Sequence, residues 1–579
     1  MDWIEPHPGR RAAAALALLA YTALAVLLFA RTWTDPAGSW IGYDDDPHLF
    51  IWYLGWTPHQ LAALHNPLFT AVLQAPGGVN LMWNTAVVAP AVALWPVTAA
   101  FGPIASYDVM ATAAVTLSAW CAFLAARRFV PGGAAAGLTG LVYGFSPYMV
   151  AQSLRHPHVT LAMFPPLALL LLHEILVRQR WSPVLAGGLL GAAAAAQFLT
   201  GEEILAYTAL VAVLGVILLA ALHPAEVASR VPGALAGLAV ALGCFLALAA
   251  YPMWFQFFGP QRVSGILQPP GVYVNDLLGF AVPPDLLALS GGPTSAVTSH
   301  FTGNVSENDA YLGVPLLALL AAICVLGWRR PLVRWAVPLA AVAAVLSLGP
   351  QLHVGGHVLP VPMPGALVAR LPLMESAVPS RLMLFAYLGI ALVLACFVSA
   401  AGRRRGLALA AVAIALLPLV PRWPYPSTEA RAPAFFQSGG EVSRLSPGDV
   451  VLVAPFADHL SSVAMLWQAS AGYRFRMPEG EAFVPGPSLG PPPSHLRATF
   501  EALEGGVAVP DSPADRAETL RELSALGVDT VVAGPCPGHD RIVGYLTSVL
   551  GRAPVRSGGV DVWWDVRPGA AASVPPPPG

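Results

Sequence analysis

The sequence contains no lysine and little charge of either sign. All 30 basic residues are arginine, 32 residues are acidic, and charged residues make up 11% of the 579 positions. Apolar residues make up 56%, which excludes an ordinary soluble domain and indicates a polytopic membrane protein. The net charge of −2 shows no excess of positive charge, so no nucleic-acid-binding surface is predicted. A lysine-free composition is typical of a genome rich in G and C.

Cysteine is also scarce. Four of the five cysteines lie inside apolar runs, and the fifth, Cys536, stands alone. These positions provide neither a disulfide framework nor the paired spacing of a zinc site. The four in apolar runs are Cys121, Cys244, Cys324 and Cys396.

Long apolar runs, by contrast, are abundant, and eleven of them are candidate membrane spans. They cover residues 12–30, 109–126, 134–150, 159–177, 183–199, 205–222, 231–251, 311–326, 336–348, 382–400 and 407–420. The first is longer than the apolar region of a typical signal peptide, so we interpret it as an uncleaved span. A twelfth run, 85–101, is short and contains Pro90 and Pro96, so its hydropathy alone does not show whether it crosses the membrane.

The placement of arginine decides the topology. If 85–101 does not cross, thirteen arginines of the membrane region fall on one side and five on the other, as the positive-inside rule requires. The five are Arg31, Arg155, Arg262, Arg370 and Arg381. If 85–101 crossed, every arginine cluster after Arg11 would move outside. We therefore predict eleven spans in the inner (plasma) membrane, a cytoplasmic N-terminus, an external C-terminus, and 85–101 in or dipping into the outer interface.

The spans define the domain organisation. Residues 1–421 are predicted to form an all-α membrane domain with long external segments at 31–108, 252–310 and 350–381, the first of which carries interfacial helices. These segments are rich in proline, glycine and aromatic residues.

After residue 421 the composition becomes that of a soluble domain. Residues 422–579 hold twelve of the 30 arginines and half of the acids. Apolar runs predict strands at 449–454, 528–533 and 560–566, and a helix is predicted over 513–526, ended by Gly527. We expect a small extracytoplasmic α/β domain over 422–572. The proline-rich tail, 573–579, is predicted to be disordered.

One stretch after the first span combines acids with aromatic residues. Asp44, Asp45 and Asp46 stand directly before Pro47, which is tolerated in the first turn of a helix. Leu49, Trp52, Tyr53 and Trp56 then recur at spacings of three and four, which predicts one apolar face suited to a membrane interface. The acids have two interpretations: a solvated run that caps the helix, or a catalytic carboxylate at the membrane surface.

These features resemble the GT-C superfamily of integral-membrane glycosyltransferases, which use polyprenyl-phosphate-linked sugars. Members have an acidic motif in a long first external loop, interfacial helices in that loop and often a soluble C-terminal domain. The resemblance covers roughly residues 10 to 420 and includes the segments 66–69, 75–81, 143–148, 347–350 and 379–381. It implies a lipid-linked sugar donor and membrane lipid as partners, while the sugar, the acceptor and the oligomeric state stay open.

The resemblance also implies a mechanism. One carboxylate acts as general base while an acceptor hydroxyl attacks the anomeric carbon and displaces the lipid phosphate. Asp44 and Asp45 are favoured as the base, because Asp46 is placed to cap the helix. The three acids could instead share a divalent metal ion or divide their pKa values.

The second external loop departs from the family, because oligosaccharide-transferring members carry a metal-binding acidic pair there. This sequence has Arg155, His156 and His158 instead, which could bind a metal or a phosphate, or simply pack at the interface. Glu202 and Glu203, at the outer end of the fifth span, are the nearest substitute for the acidic pair. Metal dependence is therefore left open.

Phosphate binding needs a fixed positive charge, and arginine suits bidentate contacts to phosphate oxygens. Arg155, Arg262 and Arg381 are external in a chain that keeps most of its arginine inside. Arg381 begins the tenth span, at the depth of a lipid head group. The alternative for Arg381 is snorkelling, in which a long side chain merely extends its charge toward water.

Two rival functions are compatible with a polytopic chain. A transporter of lipid-linked sugars usually holds ionisable residues near the middle of its spans, and here the span interiors are almost free of them. A non-catalytic protein of cell-envelope assembly would use its outer domain for binding alone.

Overall fold

A computed structural model describes residues 8–437, 439–458, 461–486 and 493–567. The predicted tail, 573–579, lies outside the described residues. The chain divides into two compact units. Unit 1 comprises Met1–Tyr43, Asp108–Tyr251 and Ile266–Thr428, and unit 2 comprises Asp44–Tyr107, Pro252–Gly265 and Glu429–Gly579.

Helices make up most of unit 1 and recur throughout unit 2. In chain order they are α1 (Pro8–Leu28), α2 (Pro47–Ala62), α3 (Val88–Ala93), α4 (Trp95–Ala126), α5 (Gly133–Gly144), α6 (Pro147–Gln152), α7 (Pro157–Thr160), α8 (Phe164–Leu172), α9 (Pro183–Phe198), α10 (Glu202–Leu222), α11 (Pro224–Phe258), α12 (Gly292–Thr298), α13 (Gly313–Gly327), α14 (Pro331–Leu346), α15 (Gly365–Val368), α16 (Met383–Ala400), α17 (Arg405–Leu416), α18 (Val463–Ser470), α19 (His495–Glu504), α20 (Pro513–Ala525) and α21 (His539–Leu550).

The strands are short. They are β1 (Ser39–Ile41), β2 (Phe69–Thr70), β3 (Val79–Asn80), β4 (Gln351–Val354), β5 (His357–Pro362), β6 (Ser427–Glu429), β7 (Val451–Ala454), β8 (Thr530–Ala533), β9 (Val555–Ser557) and β10 (Val560–Trp563).

Every predicted span coincides with helical structure, although several helices are shorter than a full crossing. Among the described residues, six helical stretches are long and apolar enough to cross a membrane, so the chain is a multi-pass membrane protein. They are Arg11–Leu28, Trp95–Ala126, Pro157–Arg178, Glu202–Leu222, Pro224–Phe258 and Pro379–Ala400. The third predicted span is broken, because α5 ends before Ser146 and α6 starts at Pro147. The count of eleven spans therefore stays a prediction.

The two flanks of the first external segment meet at one end of unit 1. The backbone N–H of Ile41, which follows the first span, donates to the carboxylate of Asp108 at 2.9 Å. Asp108 directly precedes the second predicted span. The intervening segment therefore leaves unit 1 and returns to it at the same end, which supports the proposal that 85–101 makes no net crossing. Helix α4 is also broken at Gly102, which has φ +85°, so 95–101 and 103–126 are separate helical pieces.

A second group of helix ends gathers around Glu174 in unit 1. Its carboxylate lies 3.7 Å from both Arg128 and Arg178, and it accepts hydrogen bonds from the backbone N–H groups of Arg180 and Trp181 at 2.8 and 3.0 Å. All of these residues belong to helix ends that the arginine count assigns to the cytoplasm. Their convergence agrees with the predicted alternation of the spans.

Unit 2 contains a four-stranded sheet in the order β7-β8-β10-β9. Strands β7 and β8 are parallel, while β10 pairs antiparallel with β8 and with β9. The sheet core includes Leu452, Val531 and Trp563, covered by Phe500 and Leu546 of the helices. The α/β character predicted for the C-terminal segment is therefore observed, with α20 over Pro513–Ala525 where 513–526 was expected.

Helix α2 differs from its prediction. Trp52, Tyr53 and Trp56 are buried, but so are Phe50 and Leu54 on other sides of the helix. The indole N–H of Trp52 donates to Gln468 of α18 at 2.8 Å, so α2 packs inside unit 2. The expectation of a single apolar face turned toward a membrane interface is wrong for this helix, because an apolar helix that packs on all sides is a core element.

The boundary between the parts of the chain also differs from its prediction. The first external segment was assigned to the membrane domain 1–421, yet residues 44–107 form one compact unit with the C-terminal segment. Composition marks where the soluble segment begins, but it carries no information about which distant segment packs on it.

Candidate functional site

The acid stretch of unit 2 stands at the start of α2. The helix begins at Pro47, as predicted, and Asp46 occupies the position before it. Within the described first turn, however, the Asp46 side chain accepts no capping hydrogen bond. The N–H groups of His48 and Leu49 donate instead to the backbone carbonyls of Asp45 and Asp46, both at 3.0 Å. The capping interpretation of Asp46 is therefore wrong.

Asp44 is the most accessible of the three carboxylates. Its side chain is 68% exposed, and its Oδ1 lies 3.0 Å from Nε2 of His48, whose side chain is 2% exposed. The adjacent imidazole of His48 lowers the pKa of Asp44 below its usual value, against the opposing effect of partial burial, and the charge of Arg431 lowers it further. Asp44 is therefore an ionised carboxylate that is accessible to a ligand and in contact with a buried imidazole.

The other ring nitrogen of His48 faces the C-terminal segment. Its Nδ1 lies 3.4 Å from Oγ of Ser462, a buried residue directly before α18. The Ser462 hydroxyl acts on Glu481 of the same segment and lowers its pKa. Burial, together with the nearby charge of Asp46, raises the pKa of Glu481 to about 8, which favours its protonated form.

Sequence reasoning missed three of these residues. His48 stood in the stretch already singled out, but it was not assigned a role. Ser462 and Glu481 lie more than 400 positions from His48 along the chain, and they carry no motif that would connect them to it.

Unit 1 contains a separate charged network around Arg381. This residue is 9% exposed, and its guanidinium pairs with Glu203 and with Glu307, the latter through Nη2 and Oε1 at 2.8 Å. Glu307 also accepts hydrogen bonds from Ser380 at 2.6 Å and from Gln152 at 2.8 Å. Arg381 is therefore already neutralised by two carboxylates.

A histidine and a second acid complete this network. Nδ1 of His156 lies 2.7 Å from the amide oxygen of Gln152 and 3.5 Å from Glu307. Burial would raise the pKa of Glu307, but Arg381 and His156 outweigh it and lower the pKa to about 2. Burial and the charge of Glu307 hold the pKa of Asp309 well above its usual range. Neighbouring acids with such different pKa values occupy different protonation states.

The structure brings only some of the predicted substrate-binding residues together. His156, Glu203 and Arg381 share the Glu307 network, and the ring of His158 lies 5.9 Å from that of His156. Glu202 lies in the same first turn of α10 as Glu203.

Two predicted arginines lie outside that network. The guanidinium of Arg155 lies 5.7 Å from the centre of the Tyr43 ring, within the range of a cation–π contact. Arg262 is exposed and belongs to unit 2. The network also contains Glu307 and Asp309, which were not predicted as site residues, although two acids directly before the eighth span were a visible signal.

A bound metal ion is not supported by this arrangement. Among the described residues, no group of three or more His, Cys, Asp or Glu side chains could hold a metal ion. The residues present do not fit the divalent metal ion that the sequence allowed at the acidic stretch, and the proposed reaction does not use one.

Unit 2 also contains a cleft with a volume of about 530 Å³. Its lining residues are Trp56, Gln60, Asn66, Phe69, Ala71, Val72, Phe255 and Pro260. None of these described lining residues carries a charge. The cleft suits a neutral group, whereas a phosphate would find no cationic partner among them.

Comparison with known proteins gives a fold. No protein-family model and no curated protein matches the chain. A structure of the arabinofuranosyltransferase AftD from Mycobacteria matches with a TM-score of 0.53 at 16% identity, over 96% of this chain and 42% of the AftD chain. This chain therefore spans less than half of the length of that protein.

Two further structures match less closely. The archaeal oligosaccharyltransferase AglB from Archaeoglobus fulgidus matches with a TM-score of 0.46 at 13% identity, over 95% of this chain and 72% of AglB. ArnT from Cupriavidus metallidurans matches with a TM-score of 0.41 at 15% identity, over 95% of this chain and 98% of ArnT. The fold assignment rests on the likeness to AftD, whose fold this chain shares.

Proposed function

We propose that this protein is a membrane glycosyltransferase that moves a sugar from a polyprenyl-phosphate-linked donor to an acceptor at the outer face of the membrane. The observation that carries the proposal is Asp44, an exposed and ionised carboxylate held by the buried His48 at 3.0 Å. A proton acceptor of this kind in the first external segment is what the reaction requires.

The proposed chemistry is a single displacement. The acceptor oxygen attacks the anomeric carbon of the donor, the bond from that carbon to the phosphate oxygen breaks, and the lipid phosphate leaves with the bonding electrons. Asp44 takes the proton of the acceptor hydroxyl. A carboxylate with a low pKa is sufficient here, because the phosphate is already a good leaving group and little driving force is needed from the base.

The structure favours Asp44 over its two neighbours as the base. Asp45 and Asp46 are less exposed than Asp44, and both lie close enough to Glu481 to raise its pKa. Their proposed part is to keep Glu481 protonated, whereas Asp44 is the acid that a substrate can reach.

For the donor phosphate we propose Arg155 ahead of Arg381. Arg381 is paired with Glu203 and Glu307, so a phosphate would have to displace a buried carboxylate. The guanidinium of Arg155 lies 5.7 Å from the centre of the Tyr43 ring, and arginine suits both aromatic contact and phosphate recognition. The proposed roles of His156, His158 and Glu202 are to shape the surroundings of this arginine in unit 1, and Arg262 is the proposed external cation of unit 2.

The name of AftD, an arabinofuranosyltransferase, supports glycosyl transfer as the reaction class. The shared fold alone leaves the sugar and the acceptor open. The test is therefore a measurement of transfer itself.

The decisive experiment uses single Asn substitutions of Asp44, Asp45 and Asp46 in membranes supplied with radiolabelled polyprenyl-phosphate sugars. Asn keeps the size of Asp and removes its ability to accept a proton. We expect Asp44→Asn to lower turnover by roughly two to four orders of magnitude and to leave donor binding intact, with smaller losses at Asp45 and Asp46. Full turnover in all three variants at equal expression would contradict the proposal and favour a transporter of lipid-linked sugars or an assembly protein.

A further inference from the structure

The helix ends that the arginine count assigns to the cytoplasm carry two kinds of arginine. Arg128 and Arg178 lie 3.7 Å from Glu174, and Arg230 lies 3.7 Å from Glu226. Six other arginines form no ion pair and no side-chain hydrogen bond with any residue that the structure describes. Five of these six are exposed, and the last is partly buried. They are Arg329, Arg330, Arg334, Arg403, Arg404 and Arg405.

The six arginines lie at one end of unit 1. The first three stand where α13 is followed by α14, and the last three stand where α16 is followed by α17. Helices α14 and α16 pack closely, since a Cβ placed on Gly389 would lie 2.8 Å from that of Ala340. Nearer to the arginines, Val333 of α14 and Cys396 of α16 belong to the same core cluster, and α13 packs on α17. The six residues therefore form one surface, which we call the arginine patch.

The arginine patch borders on exposed apolar surface. Leu326 and Trp328, directly before Arg329, are 83% and 47% exposed, and Leu407, directly after the last loop, is 72% exposed. On a membrane-spanning helix such apolar side chains face acyl chains, and tryptophan is enriched at the level of the head groups. The arginines therefore lie at the depth where a lipid phosphate ends and its acyl chains begin.

We propose that the arginine patch binds the head group of an anionic phospholipid of the cytoplasmic leaflet, while the acyl chains of that lipid lie against α13 and α17. Guanidinium groups suit phosphate oxygens, and clusters of basic residues at the cytoplasmic ends of spans attract anionic lipids. The positive-inside rule accounts for the side on which these arginines lie. It does not account for six of them without an acidic partner, when others on the same side are paired.

This site is distinct from the site proposed for the sugar donor. Helix α16 extends for 18 residues from Met383 to Ala400, which corresponds to about 27 Å. Arg381 precedes one end of this helix, and the arginine patch follows the other. The proposal therefore does not depend on the general base or on the binding of the donor.

The first test measures lipid binding directly. Full-length protein is purified in a neutral detergent, stripped of lipid and titrated with phosphatidylglycerol or with phosphatidylcholine of the same acyl chains, and bound lipid is counted by native mass spectrometry. We expect the wild type to prefer phosphatidylglycerol. Arg403→Gln/Arg404→Gln should weaken phosphatidylglycerol binding roughly 10- to 30-fold, because each basic residue near a lipid head group contributes about fivefold, and should leave phosphatidylcholine binding unchanged.

The matched control removes the same amount of charge from the same side. Arg178→Gln/Arg230→Gln changes two arginines that are paired with Glu174 and Glu226, so it should alter phosphatidylglycerol binding less than about twofold. An equal loss in this control would overturn the proposal, because total charge rather than the arginine patch would then attract the lipid. Equal binding of the two lipids by the wild type would also overturn it.

Two further measurements keep the outcome unambiguous. Arg329→Gln/Arg330→Gln changes the other loop and should give a similar loss, so the result does not depend on the folding of one variant, and thermal unfolding of each variant is measured alongside. Glycerol 3-phosphate carries the phosphate without acyl chains, and it should not displace bound phosphatidylglycerol even in excess. Full displacement would show a site for a soluble anion and contradict the binding of a lipid.

Discussion

A buried arginine that is paired with two carboxylates differs in its chemistry from an arginine that is available to bind a phosphate. Arg381 is the clearest example in this chain, because sequence position placed it at the depth of a lipid head group, while the structure pairs it with Glu203 and Glu307. Breaking a buried ion pair by removal of one partner is strongly destabilising. The network therefore gives Arg381 a structural role that sequence alone could not distinguish from donor binding.

The first prediction follows from this pairing. Arg381→Leu leaves two carboxylates without their cation and should lower the stability of the detergent-solubilised protein by roughly 3 to 5 kcal/mol. Arg381→Lys keeps the charge but loses the planar fork and should lie between this variant and the wild type. Thermal unfolding measures the loss, and Arg370→Lys, at an exposed position, is the control. If Arg381→Lys left the unfolding temperature unchanged and raised the KM for the donor, the result would contradict the structural role and support phosphate binding by Arg381.

At the scale of single residues, the sequence located the acids but not their partners. Asp44 to Asp46 were recognisable because three consecutive acids stand before a proline that can begin a helix. Their ranking was not recognisable, because it depends on which side chain is exposed and which one contacts His48. Ser462 reaches His48 only through packing of the C-terminal segment, and no local pattern records that contact.

At the scale of elements, Gly42 allows two backbone segments to pass close to each other directly before the acid stretch. Gly42 has φ +106°, and a Cβ placed on it would lie 2.1 Å from the carbonyl oxygen of Leu154. The same carbonyl accepts the N–H of Tyr43 at 3.0 Å, and the N–H of Gly42 donates to Pro426 at 3.0 Å. Only a residue without a side chain allows this close contact of two backbones.

The second prediction uses Gly42 with a matched control. Gly42→Ala combines the cost of a positive φ, about 1 to 2 kcal/mol, with a clash against Leu154. Its unfolding temperature should therefore fall more than that of Gly102→Ala. Gly102→Ala carries only the first cost, since Gly102 has φ +85° and a Cβ placed on it would have no described atom within 4 Å. Equal losses in the two variants would show that the contact with Leu154 imposes no restriction.

Elements were predictable where capping and periodicity act locally. Helix α20 begins after a Ser512–Asp515 capping box and is followed by Gly527 with φ +67°, and these are the start and stop signals that sequence reasoning uses. The environment of α2 was not predictable in this way. Aromatic residues at helical spacing indicate that a helix face is buried, but they do not show whether lipid or protein buries it. In the structure it is protein, since Trp52 of α2 donates to Gln468 of α18.

At the scale of the whole molecule, composition separated the soluble segment from the spans, while the interleaving of the chain stayed hidden. Residues 44–107 of the first external segment belong to unit 2, although their neighbours in sequence belong to unit 1. Such pairings between distant segments depend on surface complementarity rather than on any local signal. The arginine distribution, in contrast, acts over the whole chain, and it yields a topology that experiment can test directly.

The last prediction concerns that topology. With 85–101 not crossing, residue 64 is outside and residue 133 is in the cytoplasm; if 85–101 crosses, both are outside. Leu64 is 94% exposed, and Gly133 is exposed with no described atom near a Cβ, so a cysteine at either position should be reachable. In a background without the five native cysteines, Leu64→Cys should react with an impermeant thiol reagent in intact cells. Gly133→Cys should react only after permeabilisation, because arginine clusters keep that loop inside. Reaction of Gly133→Cys in intact cells would show that 85–101 crosses the membrane and that the eleven-span topology is wrong.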